Sequence, residues 1–266
     1  MLSNLHTHSV YCDGKNTPEE MVLSAIELGF SSLGFSGHGY ERPDCGYCMQ
    51  DTAGYMQEIK ALREKYKNEI EIYLGVEEDA VAPVNRDDFD YIIGSNHYYK
   101  FGSEAYAVDS NPEISQKALE RIGGDPLVLA ENYFSRFCAY IKARRPDIIG
   151  HFDLLTKFDE KGGGPFLRDP AYHALAEKYL REALQADCLF EVNTGAISRG
   201  WRTAPYPHEN LLHVLKTEGG KLTITSDCHA VGTLDCHYPE TRQLLKDIGF
   251  QYTYVLYGGR FVKDYL

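Results

Sequence analysis

Tyr91-Ile92-Ile93-Gly94-Ser95-Asn96-His97 is the stretch that decides the fold. Its apolar start does not alternate with polar residues, as expected of a strand covered on both faces in a parallel sheet. It ends in small and polar residues and then an imidazole. In parallel α/β folds the strand carboxyl ends share one face, and that face carries the site. The same pattern recurs along the chain. Leu2–Leu5 runs into His6-Thr7-His8, Ser32–Ser36 into Gly37-His38, and Glu71–Val76 into Glu77. Asp147–Gly150 runs into His151, Cys188–Val192 into Asn193, and Lys221–Thr225 into Ser226-Asp227-Cys228-His229. Tyr254–Leu256 reads as an eighth strand or a terminal tail.

Helical segments lie between these runs. Thr17-Pro18-Glu19-Glu20 is a capping box with proline at the first helical position, opening a helix that closes at Gly29. Tyr55, Ile59, Leu62 and Tyr66 fall at spacings of three and four. Leu127–Arg145 is a long helix, Asp169-Pro170 starts another, and Leu211–Thr217 and Glu240–Asp247 give two more. Strands alternating with helices predict an α/β fold whose parallel sheet closes into a barrel. Gly162-Gly163-Gly164-Pro165 reads as a loop inside one domain, so residues 1–266 are expected to form a single unit.

The chain has 266 residues, a formal net charge of −12, 43% hydrophobic and 25% charged residues. That balance excludes disorder and a collagen-like fold. The acidic charge argues against a general nucleic-acid binder, which needs a basic face. No apolar run approaches the roughly 18 residues of a membrane span, so no membrane partner is expected. The first ten residues lack a basic region followed by an apolar core. With seven cysteines, an odd number, this predicts a cytoplasmic protein with reduced thiols. Cys45-Gly46-Tyr47-Cys48 is a lone pair, expected to be two loop thiols. Nothing in the sequence fixes an oligomeric state.

The polar residues at the strand ends carry the chemistry. His6 and His8 are two apart on a strand, so their side chains project the same way. Asp227 and His229 repeat that spacing. The candidate metal ligands are His6, His8, Asp13, His38, Glu77, His97, His151, Asp227 and His229. So many imidazoles and carboxylates are costly to gather without cations. Nine ligands suit three divalent ions with open positions for water and substrate, and Zn, Mn and Fe all accept such donors. Three dications outweigh three carboxylates, making a positive well on an acidic protein that suits a small anionic substrate. His173, His208, His213 and His237 stay outside the set, with a supporting role considered only for His237.

At these residues the sequence resembles the PHP superfamily, named for polymerase and histidinol phosphatase, and most closely its histidinol-phosphatase branch. The resemblance rests on five segments in order: His6-Thr7-His8 with Cys12-Asp13-Gly14, Gly75-Val76-Glu77, Ile93–His97, Ile149–Asp153 and Ser226–His229. It implies a distorted (β/α)7 barrel, TIM-like, with a trinuclear metal centre. Carried over by position, His6, His8, Glu77 and Asp227 hold one ion. Glu77 bridges to a second held by His97 and His151, and Asp13, His38 and His229 hold the third. The residue before the strand-two histidine is often acidic in the family; here it is Gly37. Glu78 and Asp79 are candidates for meeting a substrate amine. Arg199, in Asn193–Gly200, Lys157 and Ser226 are the candidate substrate-binding residues. Glu77, Asp227 and Asp153 are the candidate catalytic residues.

The activity implied is hydrolysis of L-histidinol phosphate to L-histidinol and phosphate, a step of histidine biosynthesis. A metal-activated hydroxide attacks phosphorus, and Asp153 or a metal-bound water protonates the leaving group. Two other readings stand beside it. One is a phosphodiesterase or nucleotidase of the same superfamily. The other is an amidohydrolase-like C–N hydrolase, which shares the strand-one His pair but typically uses a strand-four lysine.

Overall fold

The computed structural model describes residues 1–40 and 46–266. The seven expected strands are all present: β1 (Ser3–Asn4), β2 (Ser32–Phe35), β3 (Glu71–Asp79), β4 (Tyr91–Ser95), and, after a hairpin described below, β7 (Ile148–Ile149), β8 (Leu189–Asn193) and β9 (Lys221–Thr225). They pair in parallel in the order in which they occur along the chain. A parallel bridge between Thr7 and Cys228 closes the ring. There His8 N donates to Cys228 O at 2.9 Å and Cys228 N donates to His6 O at 3.1 Å. The barrel seam therefore stitches the first His pair beside Asp227 and His229.

Helices α1 (Pro18–Glu27), α2 (Thr52–Lys65), α4 (Pro126–Arg144), α5 (Pro170–Leu184), α7 (Glu209–Glu218) and α8 (Tyr238–Ile248) surround the strands. The capping box forms as the sequence dictates. Glu20 N donates to Thr17 Oγ1 at 3.3 Å, and Thr17 N donates back to Glu20 Oε2 at 2.8 Å. Gly219 and Gly249 end α7 and α8 in the left-handed region, at φ 76° and 105°, where a side chain would be strained. Phe134, Phe137 and Ile141 on α4 and Tyr179 and Leu180 on α5 are buried in the core outside the sheet.

Inside the barrel, Tyr91 of the opening stretch is the central plug. Its hydroxyl donates to Leu5 O at 2.5 Å and lies 3.1 Å from Phe35 O. Gly75 makes room for it: a Cβ there would meet the Tyr91 ring at 2.2 Å. Leu5, Tyr73, Ile93, Ile148 and Leu189 pack around it. Each such side chain stabilises the fold by about 1.5–3 kcal/mol when fully buried.

Several elements were not foreseen. Residues 98–121 form a hairpin, β5 (Tyr98–Phe101) with β6 (Glu104–Ala107), followed by α3 (Pro112–Arg121). The short helix α6 (Gly195–Ser198) follows β8. The Tyr254–Leu256 segment is a strand, but not a barrel strand. It lies in β10 (Tyr252–Tyr257), which pairs antiparallel with β11 (Arg260–Tyr265). This hairpin covers the amino-terminal mouth of the barrel. Leu256 joins the interior cluster, Gly258 N donates to Glu71 Oε2 at 2.7 Å, and Gly259 N lies 3.0 Å from the Tyr73 hydroxyl. The carboxyl-terminal mouth is left for the site. Cys45, the first cysteine of the Cys45–Cys48 pair, lies outside the described residues. Among the described residues no helix is long and apolar enough to cross a membrane.

Candidate metal centre

The carboxyl-terminal mouth holds a cavity of about 470 Å³. Glu77, at the edge of β3 where the chain bridges to His38, stands at its centre with 1% of its surface exposed. Its Oε2 lies 2.8 Å from His38 Nδ1, 3.3 Å from His6 Nε2 and 3.7 Å from His8 Nε2. Its Oε1 lies 3.1 Å from both His97 Nε2 and His151 Nε2. Asp227 Oδ1 closes the first side at 3.3 Å from His8 Nε2 and 3.8 Å from His6 Nε2. Outside these, Asp13 Oδ2 is 3.2 Å from His229 Nε2 and 3.6 Å from His38 Nε2. His8 stacks on His229 with ring centroids 4.1 Å apart. All nine expected ligand residues thus meet at one mouth.

The electrostatics follow from this crowding. Burial opposes charge on Glu77, but His97, His38 and His6 outweigh it and hold the carboxyl well below the usual range. Burial likewise opposes charge on Asp227, and Arg199 and His6 hold it low. Burial and the neighbouring His229 and His38 press His8 down to about 4, so it stays neutral and able to donate a lone pair.

Several buried atoms of the expected ligand residues make no hydrogen bond: His6 Nε2, His8 Nε2, His38 Nδ1, His151 Nδ1 and Glu77 Oε2. Leaving such atoms bare costs about 1–3 kcal/mol each. Three sets of donors lie within 4.8 Å of one another: His8, Asp13, His38 and His229; His6, His8 and Glu77; and His38, Glu77 and His97. Imidazole and carboxylate donors at these separations fit divalent ions bound at about 2.0–2.2 Å.

Two residues outside the expected ligand set hold these side chains in place, Asp79 among them having been expected to meet a substrate amine instead. Glu191 on β8 has its Oε1 2.5 Å from His6 Nδ1, and its Oε2 accepts from His151 N at 2.7 Å and Asn193 Nδ2 at 3.0 Å. Asp79, at the end of β3, has its Oδ2 2.9 Å from His97 Nδ1. Each carboxylate fixes a ring by one nitrogen and turns the other toward the cavity. No carboxylate supports His38 from position 37. A Cβ at Gly37 would meet Cys12 Sγ at 3.1 Å and Met49 Cε at 3.2 Å, so the space is filled by sulfur-bearing side chains. The His38 ring packs edge-on against Tyr47, 5.1 Å away.

The other expected residues divide. Arg199 lines the cavity, where its Nη2 donates to Asp227 Oδ2 at 2.8 Å. Lys157 lines it too, donating to Asp109 O at 2.8 Å and Oδ2 at 3.3 Å. Asp153 does not line the cavity. It is buried just before the turn Leu154–Thr156, and its Oδ2 accepts from His208 N at 2.9 Å. Ser226 is buried in a structural network: it accepts from Asn4 Nδ2 at 2.7 Å and donates to Leu234 O at 2.8 Å. Glu78 is not open to an amine, being bound by Tyr140 at 2.7 Å and by Arg144 at 2.6 Å and 2.9 Å. Asp79 is engaged with His97. His208 caps α7 and His237 precedes α8 with its side chain 44% exposed, both apart from the cavity lining.

The described geometry has counterparts among known proteins. The PHP domain matches residues 4–195. The protein named probable histidinol-phosphatase in Schizosaccharomyces pombe is 27% identical, over 92% of this chain and 86% of its own length. One of the same name in Deinococcus radiodurans is 28% identical, over 93% and 94%. The crystal structure of histidinol phosphate phosphatase from Lactococcus lactis, complexed with Zn, L-histidinol and phosphate, aligns with a TM-score of 0.69 at 20% identity, covering 98% of this chain and 99% of that one. The match reaches six of the seven barrel strands and seven of the nine expected ligand positions, all but Asp227 and His229; with that coverage, the chain belongs to the PHP domain family.

Proposed function

We propose that this protein is a histidinol-phosphatase, a metal-dependent phosphomonoesterase that hydrolyses L-histidinol phosphate to L-histidinol and phosphate, acting as one PHP domain over residues 1–266. The observation that carries the proposal is the meeting of His6, His8, Asp13, His38, Glu77, His97, His151, Asp227 and His229 around one cavity with Arg199 and Lys157 in its wall. The relatives' names support the substrate.

His6, His8, Glu77 and Asp227 would hold one divalent ion, Glu77, His97 and His151 a second, and Asp13, His38 and His229 a third. Zn, Mn or Fe bound there supplies Lewis-acid polarisation of the phosphoryl oxygens and a lowered pKa for bound water. Glu191 and Asp79 keep the rings of His6 and His97 aimed at the cavity. Arg199 grips phosphate oxygens through its planar fork, and Lys157 adds a point charge. Both hold the charge that grows on the phosphoryl oxygens as the P–O bond to the alcohol breaks. Asp153 lies outside the cavity, so the leaving alkoxide takes its proton from water in the cavity.

Steady-state kinetics on metal-replete protein test this. L-Histidinol phosphate is expected to give a kcat/KM far above nucleotides, phosphodiesters and simple alkyl phosphates, and elemental analysis is expected to find three ions per chain. Better turnover of a nucleotide or a phosphodiester, or of an amide, replaces the reading.

A further inference from the structure

Four carboxylates line the cavity among the described residues: Asp13, Glu77, Asp109 and Asp227. Three of them face the histidines as ligand donors. Asp109 belongs to no such group, and no motif or strand end marks it in the sequence. It follows β6 on the hairpin inserted after β4. Val108 N donates to His97 O at 2.8 Å, which pins the residue before Asp109 to the backbone of a ligand histidine. Lys157 Nζ holds Asp109 from the other side, through the carbonyl at 2.8 Å and Oδ2 at 3.3 Å. Among the described residues nothing donates to its Oδ1, and the side chain is 31% exposed. Asp109 is therefore a fixed carboxylate with an oxygen to spare, at the edge of a site built otherwise to attract anions.

We propose that Asp109 binds the ammonium group of the substrate and so sets the enzyme's preference for amino-alcohol phosphates; this rests on the histidinol phosphate reading above. In that substrate the amine sits on the carbon next to the one bearing the ester oxygen. With the phosphate drawn into the ligand cluster, the ammonium lies just outside it. Arg199, Lys157 and bound dications all repel a cation there, and Asp109 is the carboxylate left to receive it. The imidazole needs no such partner, since its ordinary pKa of about 6.5 leaves it mostly neutral at pH 7. Lys157 does not fill the site, because a carboxylate has about four acceptor positions. Lys157 fixes the group and leaves Oδ1 for the substrate.

The test compares L-histidinol phosphate with its desamino analogue, imidazolylpropanol phosphate, on the metal-replete enzyme. The wild type is expected to prefer the amino ester. In Asp109→Asn the ratio of the two kcat/KM values is expected to fall by about 10- to 100-fold, the range of a charge-assisted hydrogen bond, and Asp109→Glu to restore part of it. Circular dichroism checks that each variant is folded. A ratio near one in the wild type, or one that moves by less than about threefold in Asp109→Asn, overturns the assignment while leaving the phosphatase intact; an equal loss on both esters does the same and makes Asp109 a support for Lys157. If the wild type does not hydrolyse histidinol phosphate at all, the functional reading falls first and the ammonium site with it.

Discussion

Glu191 Oε1 lies 2.5 Å from His6 Nδ1, and neither side chain is exposed to solvent. Burial opposes the charged forms of both. It is outweighed on His6 by Glu191, Asp227 and Glu77, which raise its pKa, and on Glu191 by His6, which lowers it. The pair aims His6 Nε2 at Glu77 and Asp227. Outer partners of this kind typically contribute 10- to 100-fold in metal affinity or activity. Glu191→Gln is therefore expected to weaken metal retention and lower kcat/KM by about 10- to 100-fold. Metal content after dialysis, measured beside activity, checks it. Retention equal to wild type would mean that the other ligands orient the ion unaided.

Glu77 touches both halves of the expected ligand cluster, with Oε2 toward His6, His8 and His38 and Oε1 toward His97 and His151. Glu77→Gln keeps the shape and removes the charge between them. Turnover is expected to be lost and at least one equivalent of metal with it, while circular dichroism stays that of the wild type. Near-normal activity in this variant would remove Glu77 from the bridging position.

The barrel was legible because each strand is a short apolar run ending in a polar residue, and parallel topology turns those ends into one site. Asp153 shows where this logic stops. It follows His151 by two positions, but the chain has left the strand and turned at Leu154–Thr156, so strand alternation no longer says where it points. Glu191 was missed for the opposite reason. It sits inside a covered strand, two residues before its end, and no ligand or supporting role was expected of it. A carboxylate inside an apolar strand is itself a signal, since a buried charge needs a partner. The hairpin β5–β6 carries Asp109, but Tyr98–Ala107 has no residue pattern that places it over the cavity.

Arg199 Nη2 is 2.8 Å from Asp227 Oδ2, and its Nη1 is 3.1 Å from His229 Nδ1. It meets two of the expected ligand residues while facing the cavity. A charge-assisted hydrogen bond contributes roughly 1.5–3 kcal/mol. Arg199→Ala is thus expected to lower kcat/KM by roughly 10- to 150-fold, and inorganic phosphate is expected to inhibit it more weakly than the wild type. Arg199→Lys keeps the charge but not the fork, so it should recover only part of the loss. Unchanged phosphate inhibition in Arg199→Ala would assign anion binding to the ions and Lys157 alone.

Asp159 is 7% exposed in the loop after β7, where its Oδ2 accepts from Phe166 N at 2.8 Å and Leu167 N at 2.5 Å. Burial raises its pKa from 3.8 to about 6, against the pull of those two amides and Arg202. The folded chain therefore binds this proton more tightly than the unfolded chain between about pH 4 and pH 6. The stability it contributes is present below pH 4 and is lost as the pH rises through about 6, amounting to at most about 3 kcal/mol. Asp159→Asn mimics the protonated form at every pH and keeps an oxygen for the two amides. Wild type and variant should be about equally stable near pH 4, and the variant more stable by up to about 3 kcal/mol at pH 7. Urea unfolding of both metal-free proteins at each pH measures the difference directly, with the pH response of the histidines common to the two. A difference that does not grow between pH 4 and pH 7 would show that Asp159 is already ionised in the fold at the lower pH.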